Sequence, residues 1–178
     1  MNPIQNAVTT KRIALRRMTV MALLVALGVI LSPILRVPGM APMQHFINVI
    51  CAVLLGPWYA LVCAILIAIL RMTLFSVNLL AVTGAVFGAL LSGLFYRATK
   101  ALLSAVIGEM IGTGIIGALV SYPVMTLVYG KTDLTWITYV PSFIAGTVIG
   151  GFAAFALLLA LKKSGLLAKF QQQSGGRA

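Results

Sequence analysis

"PMQHFINVICAVLLGPWYA", residues 42–60, is the stretch on which the fold turns. Most of it is apolar enough for lipid. Yet it holds the only histidine of the chain, His45, with Asn48 three residues later. Polar side chains are costly inside a bilayer. The stretch ends in Gly56-Pro57, which breaks the chain and supplies a proline suited to the first turn of a new helix. It reads as a short apolar span over 43–55, with a polar end and a sharp stop.

Working outward, five more apolar runs share that character. A helix needs about 20 apolar residues to cross ~30 Å of hydrocarbon. The runs cover 18–35, 58–75, 79–96, 101–129 and 137–161. Arg36-Val37-Pro38-Gly39 ends the first, and Pro123 predicts a kink in the 101–129 span. The expectation is an all-α integral membrane protein, a compact bundle of six transmembrane helices. Residues 1–17 form a basic N-terminal segment, 18–161 the membrane domain, and 162–178 a basic and polar tail expected to lack structure.

Composition agrees. Of 178 residues, 61% are hydrophobic and 8% charged, against roughly 25% charged in a soluble domain. Such a chain cannot cover itself with polar surface. Net charge is +11, with Glu109 and Asp133 as the only acids. The basic residues flank spans rather than forming one face. Lys11, Arg12, Arg16 and Arg17 precede the first run, Arg97 and Lys100 separate the fourth from the fifth, and Lys162, Lys163 and Lys169 follow the last. The positive-inside rule accounts for this and leaves nothing to assign to nucleic acid. With six spans both termini fall on the cytoplasmic side, and only Arg36, Arg71 and Lys131 lie towards the outside. Gly39-Met40-Ala41 mimics a cleavage site, but the run before it is long enough to be a retained span. Cys51 and Cys63 fall inside apolar runs and read as small packing groups.

Small residues recur in four-residue steps: Ala60, Ala64 and Ala68; Gly84, Gly88 and Ser92; Gly108 and Gly112; Gly117 and Ser121; Gly146, Gly150 and Ala154. Such ladders let membrane helices approach closely.

Motifs for catalysis are missing. Gly130-Lys131-Thr132 resembles the end of a phosphate loop, but Met125 stands where G-x-x-x-x-G-K-[ST] needs its first glycine. No G-x-S-x-G or H-E-x-x-H occurs, and no Cys/His cluster offers a metal site. The expectation is a non-enzyme with no cofactor, in which any use of ATP falls to partner subunits.

The polar residues inside the spans are the functional candidates. His45 and Asn48 share a helical face and either line an outward pocket or bind a neighbouring helix. Arg71 either donates to a ligand or snorkels to the interface. Asn78 is a pocket group or a plain N-cap. Glu109, the one carboxylate in a span, lies about a dozen Å from Lys100 at ~1.5 Å per residue. It is a pocket floor, a neutral buried acid or a structural partner. Tyr122 and Trp136 are ligand contacts or belt aromatics. All but Glu109 fall in the outer half, and aromatics with a few hydrogen-bonding groups suit a small, flat, mostly neutral heterocycle.

Four features then carry a family likeness: "LLVALGVILSPIL", "MQHFINVICAVLLGPWYA", "GEMIGTGIIGALVSYPV", and the length with six spans. Over residues 17–161 the chain resembles the substrate-capture (S) components of energy-coupling-factor vitamin transporters, and within them the ThiW family. The resemblance implies capture of a thiazole precursor of thiamine from outside. It implies assembly with a transmembrane coupling (T) subunit and two ATPase subunits, and toppling of the S component in the membrane. It carries His45 and Asn48 over as motif residues. It also assigns Ala22 and Ala26, an A-x-x-x-A step on the first helix, to the T-subunit interface. The alternatives are an S component for another vitamin-like molecule, and a self-contained small secondary carrier.

Overall fold

A computed structural model of the chain describes residues 3–34 and 40–173. The break expected at Arg36-Val37-Pro38-Gly39 lies outside the described residues. Described residues form helices and no strand: α1 (Pro3–Ile34), α2 (Pro42–Leu55), α3 (Pro57–Phe75), α4 (Leu80–Thr99), α5 (Leu102–Glu109), a π-helical segment (Met110–Gly117), α6 (Ala118–Leu127), α7 (Val140–Lys163) and α8 (Leu166–Gln173).

Five stretches are long and apolar enough to cross a membrane: Thr10–Ile34, Pro57–Phe75, Leu80–Thr99, Leu102–Leu127 and Val140–Lys163. The 43–55 run is also a helix, but α2 has only 14 residues, about 21 Å at 1.5 Å per residue. That is short of ~30 Å of hydrocarbon. Its position explains its polar content. It packs against α1, α3, α4, α5 and α7, and Ile47, Asn48, Val49, Cys51 and Ala52 are all but fully enclosed. A helix wrapped by other helices shows little of itself to lipid, so its polar groups need partners from protein and find them there.

The ends of α2 and α3 follow the expected chemistry. Gly56 has φ +89°, a backbone that L side chains rarely adopt. Pro57 opens α3, where its missing N–H costs nothing. The small-residue ladders also face inward. Ala60, Ala64, Ala68, Ser92, Ser121 and Ala154 are fully buried. A Cβ on Gly112 would fall 2.6 Å from the Gly88 Cα, so α4 and the π segment meet backbone to backbone.

One expectation is corrected and one feature was not expected. The 101–129 span carries a π-helical segment at Met110–Gly117, ahead of Pro123, which lies inside α6. That segment carries glycines at 112, 114 and 117. The tail expected to lack structure is helical over Leu166–Gln173, because Leu167 and Gln171 dock into the bundle and are buried. Residues 174–178 lie outside the described residues.

Candidate functional site

The ends of α2, α3, α4 and α7 that meet at one pole of the bundle enclose a cavity of about 230 Å³. Gln44 and His45 reach it from α2, Arg71 from the last turns of α3, Asn78 from the α3–α4 connection, and Ser142 and Phe143 from α7. The lysines and arginine that end α4 and α7 (Arg97, Lys100, Lys162, Lys163) belong to the opposite pole.

Beneath the cavity runs a chain of buried hydrogen bonds. Arg71 Nη1 donates to Gln44 Oε1 at 3.2 Å. Gln44 Nε2 donates to Asn48 Oδ1 at 3.0 Å. Asn48 Nδ2 donates to Glu109 Oε1 at 3.0 Å and to the Ala85 carbonyl at 3.2 Å. Thr113 Oγ1 donates to the same Oε1 at 3.1 Å, and His45 Nδ1 lies 2.9 Å from it. From Arg71 through Gln44 to Asn48 each step donates towards Glu109, which sets the orientation of both amides. Glu109 is fully buried. Its partners come from α2 and the π segment, whose wide turn starts at the next residue and carries Thr113.

Glu109 Oε1 is thus saturated, whereas Oε2 is buried with no hydrogen-bond partner among the described residues. Oε2 faces Gly88 of α4, where an added Cβ would sit 2.7 Å from it. The carboxylate therefore acts through Oε1, as the anchor of His45. With Nδ1 engaged by Glu109, Nε2 is the other ring nitrogen, and it lies close to Gly146 of α7, where an added Cβ would come 3.3 Å from it. Gly150 lets α2 seat here: a Cβ on it would come 3.0 Å from the His45 Cβ and 2.9 Å from the Phe46 amide nitrogen.

The sequence candidates separate into four groups. His45, Arg71 and Asn78 line the cavity. Asn78 keeps its capping role as well, since its Oδ1 accepts the Leu80 N–H at 3.2 Å. Asn48 and Glu109 lie under the lining and hold it. Tyr122 and Trp136 stack on each other, ring centroids 4.4 Å apart, and neither lines the cavity; Trp136 is exposed. Ala22 and Ala26 are exposed on α1, at the edge of the face that buries Val25 and Val29.

Sequence reading missed Gln44, Thr113, Ser142 and Phe143. Gln44 carried a signal: it lies four residues before Asn48, the spacing of a helix-face pair. Thr113 had the same signal towards Glu109. Ser142 and Phe143 carried none. Among the described residues no three His, Cys, Asp or Glu side chains converge as metal ligands.

A family model described as thiamine-precursor transporter protein (ThiW) matches residues 18–164. The chain belongs to the ThiW family. The match spans every helix from the middle of α1 to the end of α7, and so includes each residue of the cavity and of the chain of hydrogen bonds beneath it. No curated protein and no solved structure matches. As a member of a ThiW transporter family with several long apolar helices, the chain is a multi-pass protein of the plasma membrane. The enclosed polar groups of α2 then belong to a transporter.

Proposed function

We propose that this ThiW protein is the S component of an energy-coupling-factor importer and captures hydroxyethylthiazole, a thiamine precursor, from outside the cell. The single observation that carries the reading is the cavity's place and make-up. It opens at the pole away from the basic helix ends, and it presents His45, Arg71, Asn78 and Ser142 beside the Phe143 ring. The positive-inside rule puts the basic pole in the cytoplasm. With α2 counted as a sixth, fully wrapped crossing, both termini are cytoplasmic and the cavity faces outward.

The chemistry fits a small aromatic alcohol. A volume of about 230 Å³ lies below the roughly 300–1,000 Å³ of pockets for drug-sized ligands. One short-chained heterocycle fills it. Phe143 supplies a ring face, His45 Nε2 a partner for a hydroxyl, and Arg71, held by Gln44, a donor for a ring nitrogen. Asn48 and Glu109 are positioning residues. In this reading Ala22 and Ala26 form the T-subunit face, and two ATPase subunits supply the energy. The phosphate-loop pattern that this chain lacks would then reside in them.

The test is to purify the full chain from cells without added ligand, denature it, and identify the released small molecule by mass spectrometry. Recovery of the thiazole alcohol is expected. Repeated recovery of a different vitamin-like molecule overturns the cargo. Uptake that persists in cells lacking the ATPase subunits overturns the S-component role.

A further inference from the structure

The polar wall of the His45 cavity is fixed by the protein itself. His45 is held by Glu109, and Arg71 by Gln44. Asn78 accepts the Leu80 N–H, and the Ser142 hydroxyl donates to the Tyr139 carbonyl at 3.0 Å. None of the four can swing aside for a larger occupant without giving up a hydrogen bond. How large an occupant fits is therefore decided by the apolar wall. Met40, Val77 and Leu80 are half-buried. Among the described residues of the lining, Phe143 is the one large apolar side chain that is buried.

The Phe143 ring is seated on α4 at Gly84. A Cβ added there would come 3.0 Å from Cε2 and 3.1 Å from Cζ. Gly84 itself lines the cavity, so the seam between α4 and α7 is part of its wall. Tyr139 meets the same ring, with centroids 6.0 Å apart. Three residues after Phe143, Gly146 takes the edge of the His45 ring. The apolar bulk and the fixed polar group thus pack against α7 one turn apart. A methyl group at 84 leaves the Phe143 ring too little room on that side, and the open space beside it is the cavity.

We propose that Phe143, seated on Gly84, sets the size limit of the cargo, admitting a single five-membered ring and rejecting a fused bicyclic one. The inference rests on the small heterocyclic alcohol proposed above and adds what keeps its larger relatives out. A filled apolar wall discriminates by overlap, because extra bulk forces side chains off their rotamers. One methylene against such a wall is worth roughly ten- to two-hundredfold in selectivity. A second fused ring brings several carbons to a wall whose polar side cannot yield.

The experiment is binding calorimetry on the full chain in detergent, with two probes: hydroxyethylthiazole, and the benzothiazole that carries the same hydroxyethyl chain. The unchanged chain should bind the first and strongly disfavour the second. Phe143→Ala should shift the ratio of the two affinities towards the benzothiazole by roughly tenfold or more, and Phe143→Leu should shift it the same way by less. Gly84→Ala should weaken hydroxyethylthiazole severalfold, and the double variant Gly84→Ala/Phe143→Leu should recover it. An unchanged ratio in the Phe143 variants overturns the proposal, as does equal binding of the two probes by the unchanged chain. If Phe143→Ala fails to fold, Phe143→Leu carries the test. If the unchanged chain binds neither probe, the cargo assigned above falls. The size limit is then read, on the same variants, with the small molecule that copurifies with the chain and a bulkier analogue of it.

Discussion

His45 Nδ1 and Glu109 Oε1 meet at 2.9 Å across 64 positions of sequence, with the carboxylate fully buried. The contact joins the central helix α2 to the point where α5 passes into the π segment. It makes one side chain of the cavity wall depend on a carboxylate that never reaches the cavity. The division between residues that line the cavity and residues that hold the lining follows from this contact.

His45 and Asn48 should therefore behave differently when replaced. His45 lines the cavity, so if it is the ligand group proposed above, His45→Ala should take ligand retention below detection. Asn48 is 1% exposed and spends its amide on Glu109 and the Ala85 carbonyl. Asn48→Ala leaves buried acceptors short of a donor, at a cost of about 1–3 kcal/mol. Thermal unfolding in detergent should register a drop for Asn48→Ala, with ligand retention reduced less than in His45→Ala. Unchanged stability with abolished binding in Asn48→Ala would mean that Asn48 itself contacts the ligand.

Gly88 tests how tightly the Glu109 carboxylate is enclosed. A methyl group there would sit 2.7 Å from both Glu109 Cδ and Oε2, and the backbones of α4 and the π segment leave it no room. Gly88→Ala should cost about 1–3 kcal/mol, as overpacking of a filled core does, and it should disturb His45 through Glu109. A melting temperature and ligand retention equal to the unchanged protein would show that α4 and the π segment can part without cost.

Much of this was legible in the sequence. Apolar run length and the Gly56-Pro57 break gave the helices, and the small-residue steps gave the faces that pack. His45, Arg71, Asn78 and Glu109 stood out because charge and amide groups are rare in such runs. The helical period did not reveal which apolar run is enclosed by the others. That is a property of tertiary packing, and it turns α2 from an ordinary span into the short centre of the bundle. For the same reason the sequence left Glu109 open between a pocket floor, a neutral buried acid and a structural partner. Depth along a helix says nothing of a partner reaching down from α2. Gln44 was passed over beside a more conspicuous histidine, although its spacing to Asn48 was readable. The π turn was not readable, since Met110–Gly117 differs little in composition from glycine-bearing α-helix elsewhere in the chain.

Tyr122 and Trp136 carry the opposite prediction. Their rings stack on each other with a centroid separation of 4.4 Å and a 37° tilt, apart from the groups that line the cavity. Trp136→Ala should leave ligand retention within about a factor of two to three, because truncating an exposed aromatic away from a site changes stability by no more than roughly 0.5 kcal/mol. A loss of binding comparable with His45→Ala would mean that the connection between α6 and α7 folds over the cavity when ligand is present.

The last prediction concerns α1. Ala22 and Ala26 are exposed, and with Leu23, Leu27 and Ile30 they make an apolar face bordered by buried Val25 and Val29. In a monomer this face meets only lipid, where small residues bring no advantage. In the proposed S-component role their value is to let a helix of the coupling subunit approach closely. Replacing both with leucine adds bulk outside the bundle, so folding and ligand retention by the purified chain should not change. Uptake in cells should fall, because a coupling helix could no longer seat on the Ala22–Ala26 step. Measuring uptake and retention on the same variant separates the two effects. Normal uptake would place the coupling face elsewhere, whereas joint loss of uptake and retention would mean that the added bulk reaches the core through Val25 and Val29.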